Sequence, residues 1–255
     1  MIKYIRISLG ILFFMTFLHA KSQIGDFRNE LAVGVTGGYT MSSVGFVPDI
    51  PQNSLGGYTA GVALRFTCEK YFKSICALVT EINITKTGWK QSILDAQDQP
   101  VINPSTGAAE EYQRTITYIQ IPFLARLGWG REYKGAQFYV QAGPQIGFYL
   151  NDKIKSNYDY DLRNQSDRLG VLQESPQEVM PIERKFDYGI TAGAGLEYSI
   201  PRVGHFLLEG RYYYGLADIY SNSKKDFFGR SNLSVIQIKL TYLTDLIRSK
   251  NPNIK

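Results

Sequence analysis

Ile236-Gln237-Ile238-Lys239-Leu240-Thr241-Tyr242 sets apolar and polar residues in strict alternation. Period two is the mark of a β-strand with one apolar and one polar face. The pattern recurs upstream in Leu31-Val33-Val35, Tyr58-Ala60-Val62-Leu64-Phe66, Leu78-Ile82-Ile84 and Ile119-Ile121-Phe123-Ala125-Leu127. It appears again in Phe138-Val140-Ala142-Ile146-Phe148-Leu150, Tyr188-Ile190-Ala192-Ala194-Leu196-Tyr198 and Phe206-Leu208-Tyr212-Tyr214-Leu216. Eight such segments make an even number, as an up-and-down barrel requires.

The intervening positions decide what surrounds the barrel. They carry Arg65, Glu81, Gln120, Arg126, Gln141, Asp187, Glu197, Glu209, Arg211, Gln237 and Lys239. Charges on nearly every strand cannot face hydrocarbon, because one at the midplane costs about 2–4 kcal/mol. A soluble ligand-carrying barrel would place its apolar face inward and its polar face in water. Both signs together favour a lumen in which Arg65, Glu81, Arg126, Asp187, Glu197, Glu209, Arg211 and Lys239 pair, with lipid outside. The expected fold is an all-β, antiparallel up-and-down transmembrane barrel of about eight strands in the cell outer membrane.

Connection lengths agree. Glu69 to Ser74, Gly130 to Gly135 and Pro201 to Gly204 are tight, whereas 43–56, 91–111, 151–183 and 219–230 are long. Short periplasmic turns alternating with long external loops are what such barrels carry, and this count puts both termini on the periplasmic side. On the apolar face, Phe66, Trp129, Phe138, Tyr198, Phe206 and Tyr242 gather at the short-turn end. Tyr58, Phe148, Phe186, Tyr188 and Tyr214 gather at the other. Two aromatic belts suit the two interfaces of a bilayer.

The first residues read as a secretory signal peptide: an apolar run from Ile7 to Leu18 behind Lys3 and Arg6, with Ala20-Lys21-Ser22 at the expected cleavage site. An uncleaved anchor helix is the rival, opposed by the shortness of the run. The division expected is 1–22 signal peptide, 23–244 barrel and 245–255 tail. Loss of Lys3, Arg6 and Lys21 lowers the formal charge from +5 to +2, so the basic balance points to no nucleic-acid partner. An exported chain can form a disulfide between Cys68 and Cys76 across a hairpin end, and two idle thiols is the equal alternative. Zinc is not expected, because two cysteines and the single histidine left beyond the signal peptide fall short of four ligands.

Three strands resemble the PorT-like family of outer-membrane β-barrels: Tyr118-Ile119-Gln120-Ile121-Pro122-Phe123-Leu124, Tyr139-Val140-Gln141-Ala142-Gly143-Pro144-Gln145-Ile146-Gly147, and Phe186 through Tyr198 with its Gly189, Gly193 and Gly195. The resemblance implies the barrel fold and supplies no catalytic residues. Its founding member is associated with protein secretion across the outer membrane, which makes envelope or secretion proteins the implied partners beside outer-membrane lipid.

No cofactor and no catalytic set is expected. His205, beside the Pro201–Gly204 turn, reads as an interfacial turn residue, and no Ser/His/Asp set is expected to converge. Asp159-x-Asp161-x-x-Asn164 lacks the glycine and terminal glutamate of a calcium loop, so a solvated surface loop is the blander reading. Tyr158, Asp159, Tyr160 and Asp161 are nevertheless the favoured contact region, since binding concentrates on long loops of rigid barrels. The expected role is non-enzymatic, binding or accessory, exercised through external loops. The rivals are a narrow solute or ion channel and a lipid-modifying barrel enzyme.

Overall fold

A computed structural model of the chain describes residues 26–71, 73–95, 97–103, 106–158, 178, 180–220 and 227–248. The expected signal peptide lies outside them. Among the described residues nine strands appear in order: β1 (Asp26–Val47), β2 (Gln52–Asn53), β3 (Leu55–Tyr71), β4 (Ser74–Ser92), β5 (Glu111–Gly130), β6 (Gly135–Ser156), β7 (Phe186–Ile200), β8 (Gly204–Asp218) and β9 (Arg230–Ile247). Eight of them form a closed antiparallel ring, since β1 pairs with both β3 and β9 and β4 pairs with β5. The short β2 adds to the end of β4, outside the ring. Strand β9 runs to Ile247, three residues past the expected barrel end at 244, and brings Asp245 onto the inner face.

The short connections fall where the sequence places them. Positive φ at Gly130, Gly135 and Gly204 supplies the sharp reversals, where a Cβ would be strained. Outward positions between the strand ends are apolar and exposed, Val62, Ile82, Ile190, Leu208, Ile238 and Leu240 among them. The aromatic belts are real neighbours around the ring. Trp129 stacks on Phe138 with centroids 6.3 Å apart and Phe206 meets Tyr242 at 5.1 Å, while at the other end Phe148 meets Phe186 at 5.4 Å. Phe138 and Phe148 are ten positions apart on one strand, as are Tyr188 and Tyr198 on another. Ten residues at about 3.3 Å each, tilted by about 40°, span about 25 Å, the height of the apolar band of such barrels.

Four strands continue well past the upper belt, and there the alternation changes phase. On β5, outward Phe123, Ile121 and Ile119 give way to Thr117, Thr115 and Gln113, while inward Arg126 and Gln120 give way to Tyr118, Ile116 and Tyr112. On β4 the outward Ile82 and Ile84 are followed by Lys86 and Lys90, and inward Glu81 and Asn83 by Trp89. Above the membrane the barrel is surrounded by water, so the hydrophobic effect turns the apolar side chains inward. They form a core of Val44, Phe46, Trp89, Tyr112, Ile116, Tyr118, Tyr213, Leu233 and Val235 with residues from the loop bases. The stretches 43–56 and 151–183 were expected to be loop throughout. Residues up to Val47, from Leu55, and up to Ser156 are instead strand.

A charge distinguishes the two zones. Ile238→Arg, on the lipid face between the belts, is expected to cost about 2–4 kcal/mol in urea unfolding from lipid vesicles, whereas Thr117→Arg, above the belt, costs about 0–1 kcal/mol.

Candidate functional site

The interior of the membrane-spanning half is one charge network. Arg65 on β3 donates to Glu197 Oε1 of β7 at 2.6 Å, and Arg126 on β5 donates to the other oxygen of the same carboxylate. The Arg126 guanidinium lies 3.4 Å over the Tyr139 ring. Tyr139 Oη and Gln141 Nε2, both on β6, donate to Glu209 Oε2 of β8, each at 2.9 Å. Glu209 also pairs with Arg211 at 2.6 Å, and Arg211 grips both oxygens of Glu81 on β4. Lys239 of β9 donates to Glu81 at 2.5 Å. Strand β1 joins through Thr241 Oγ1, which donates to Thr36 Oγ1 at 2.8 Å. Polar contacts therefore cross-brace all eight ring strands.

Strand β7 makes room for these large groups. A Cβ on Gly193 would lie 2.8 Å from Arg211 Cγ, and one on Gly195 would lie 2.6 Å from the Tyr139 ring. The glycines that stand out in the sequence are thus seats for neighbouring side chains. Seven of the eight predicted network residues come together. Asp187 does not: ten positions up β7 from Glu197, it instead accepts a hydrogen bond from Tyr213 Oη at 2.7 Å.

The periplasmic mouth is closed by the β5–β6 turn. Glu132 pairs with Arg28 at 3.1 Å and with Lys70 at 3.2 Å, while Tyr133 Oη donates to Glu30 at 2.8 Å. Burial and that hydrogen bond push the Tyr133 phenol above its usual range, which keeps its proton on the donor side. Arg248 lies 4.5 Å from the centre of the Tyr133 ring. Nothing in the sequence of this turn separates a stopper from a solvated reversal.

His205 corrects the sequence reading twice. It is buried on the inner face of β8 instead of sitting at the interface, and a serine and an aspartate do converge on it. Ser199 Oγ is 2.8 Å from His205 Nδ1, and His205 Nε2 is 3.1 Å from Asp245 Oδ1. The chemistry of a hydrolase is opposed by three features. The adjoining cavity is about 20 Å³, room for about one water and no acyl group. The two imidazole nitrogens face serine and carboxylate in the order opposite to that of a serine-protease triad. Glu197 Oε1 stands 2.8 Å from Nδ1 and 3.5 Å from Ser199 Oγ, where its charge opposes an oxyanion. The set acts as a clasp between the ends of β7, β8 and β9.

The external mouth is capped by the aromatic core. Phe46 meets Trp89 edge-on at 5.4 Å and Phe228 at 4.8 Å. Buried Arg114 donates to Asp152 at 2.8 Å and to the Met180 carbonyl at 2.6 Å, tying the strand ends to a loop base. Tyr158, expected as an exposed contact, is 8% exposed and donates to Glu178 at 3.0 Å inside this cap. Asp159, Tyr160 and Asp161 lie outside the described residues. Cys68 rides on a bulge opposite β4, and it and Cys76 are free thiols. Among the described residues no His/Cys/Asp/Glu group is arranged to hold a metal.

Residues 21–221 match a family model described as outer membrane protein beta-barrel domain. The chain belongs to that family of outer-membrane β-barrels. A search of the curated proteins finds no match. Among solved structures the chain is similar to OprG from Pseudomonas aeruginosa, at 11% identity over 86% of this chain and 98% of that one, with a TM-score of 0.41. It is also similar to neisserial surface protein A, at 10% identity over 83% and 96% with a TM-score of 0.37. The outer membrane enzyme PagL matches at 9% identity over 81% and 97%, with a TM-score of 0.36.

Glu81→Gln leaves Lys239 buried without its carboxylate and Arg211 with Glu209 alone, and is expected to cost about 3–5 kcal/mol. Asp187→Ala removes the acceptor of the Tyr213 hydroxyl outside the network and costs about 1–3 kcal/mol. Urea unfolding of the two variants from the same vesicles measures the difference.

Proposed function

We propose that this chain is a non-enzymatic, non-conducting surface barrel of the PorT-like kind, with a binding or accessory role exercised outside the membrane in an envelope or secretion complex. One observation carries the reading. The lumen is blocked at three successive heights by the Glu132–Tyr133 turn, the charge network and the aromatic cap. A second lumen cavity, between Arg65, Glu81, Arg126 and Arg211, is about 10 Å³, below what a hydrated ion needs. An eight-stranded barrel leaves an interior that side chains fill. What remains available to partners is the exterior, and here it is enlarged by strands that project beyond the bilayer. The three strand motifs resembling the PorT-like family support that affiliation.

Ser199, His205 and Asp245 are the observation that favours an enzyme, but their cavity admits no lipid or peptide.

Single-channel recording in planar bilayers tests the reading. The wild-type barrel is expected to be silent, and Trp89→Ala with Tyr112→Ala to remain silent, because the charge network and the periplasmic stopper are intact in that variant. Stepwise conductance from the wild type overturns the proposal in favour of a narrow channel.

A further inference from the structure

The outward face of β4, β5 and β6 above the upper belt is a contiguous cationic surface. Register fixes its layout: Lys86 lies beside Thr117, Thr115 beside Lys153, and Gln113 between Lys90 and Lys155. Lysines therefore flank a row of hydroxyl and amide groups on a flat sheet face. The outer halves of these strands contain two acids, and both are engaged, Glu111 by Lys90 at 2.8 Å and Asp152 by Arg114 at 2.8 Å. Among the described residues no acid stands within ion-pair distance of Lys86, Lys153 or Lys155. Lys86 Nζ is held 4.5 Å over the ring of Tyr58, itself part of the upper belt, so the patch continues directly from the lipid-facing surface.

Height selects the occupant. Lys86 is two positions past Ile84, Lys153 five past Phe148 and Lys155 seven past it. One of those β6 positions is absorbed by the bulge opposite Thr117 and Tyr118, so at about 3.3 Å per residue and a tilt of about 40° the lysines stand about 5, 10 and 15 Å above the belt. Phospholipid headgroups occupy about 5–8 Å on each side of the hydrocarbon. Lys86 is within reach of such a headgroup, whereas Lys153 and Lys155 are above it. Amides and hydroxyls between cations suit sugar hydroxyls and phosphates together. We propose that this face binds the phosphorylated saccharide headgroup of an outer-leaflet glycolipid. The inference is independent of the binding or accessory role proposed above, since it concerns the lipid around the barrel.

The test titrates fluorescent core-bearing lipopolysaccharide into the full-length protein in phosphatidylcholine nanodiscs. Parallel arms use phosphatase-treated lipopolysaccharide, phosphatidylglycerol and the delipidated, phosphorylated core saccharide. Wild-type protein is expected to bind the intact glycolipid more tightly than any of the three. Lys86→Gln, Lys153→Gln and Lys155→Gln together are expected to weaken that binding about a hundredfold, about fivefold per lysine, while keeping the heat-dependent gel mobility of a folded barrel. Lys73→Gln, Arg131→Gln and Lys134→Gln at the opposite rim serve as the charge-matched control and should change nothing. Equal binding of the phosphatase-treated lipid or of phosphatidylglycerol, equal loss in the control, or tighter binding of the free saccharide each overturns the proposal.

Discussion

Hydrocarbon offers no hydrogen-bond partner to a peptide group, and this constraint governs the whole chain. A sheet can enter the bilayer only with its edges joined, so β1 must find β9 across about two hundred residues of sequence. Once the ring closes, its eight inner faces converge on one axis and have no access to bulk water. Any charge placed there needs a counter-charge from a different strand. The Arg65–Glu197–Arg126 and Glu81–Arg211–Lys239 groups answer that demand, and the glycines of β7 yield the space in which they meet. Ring closure and lumen pairing are thus two expressions of one solvent condition.

The same condition explains the change of phase at the upper belt. Inside the bilayer the outer surface meets an apolar solvent and the inner surface must be polar. Beyond it the outer surface meets water and the inner one becomes an ordinary hydrophobic core. Strand β5 crosses between these regimes within two residues, at Thr117 and Tyr118: its register with β4 runs straight through, while its register with β6 shifts by one residue at that point. The sheet continues through the change, and the partition of side chains between its two faces responds to the surroundings.

This accounts for what could and could not be read from the chain. Strict alternation with charges, as in Ile236–Tyr242, has a single sensible partition, and the sheet, the turns and seven of the eight network residues followed from it. Asn151-Asp152-Lys153-Ile154-Lys155-Ser156 carries charges on both alternating series, so it has no apolar face and reads as loop. Asp187 alternates in phase with Glu197, but periodicity records the face of a strand and not the height along it. The clasp of Ser199, His205 and Asp245 was illegible for another reason. Ser199 and His205 flank a tight turn, but Asp245 reaches them through the β8–β9 pairing and only because β9 extends past Tyr242.

The cationic, water-facing segments of β4–β6 have a directional meaning for assembly. Lys153 and Lys155 stand on the far side of the bilayer from the short turns, and the external core there joins Trp89 and Tyr112 of the β4–β5 hairpin to Phe46 of β1. Once those rings have packed, withdrawal toward the periplasm would require pulling an aromatic bundle apart and dragging lysines back through hydrocarbon. The cap therefore behaves as a ratchet, and the orientation of the finished barrel is held by the work needed to reverse it.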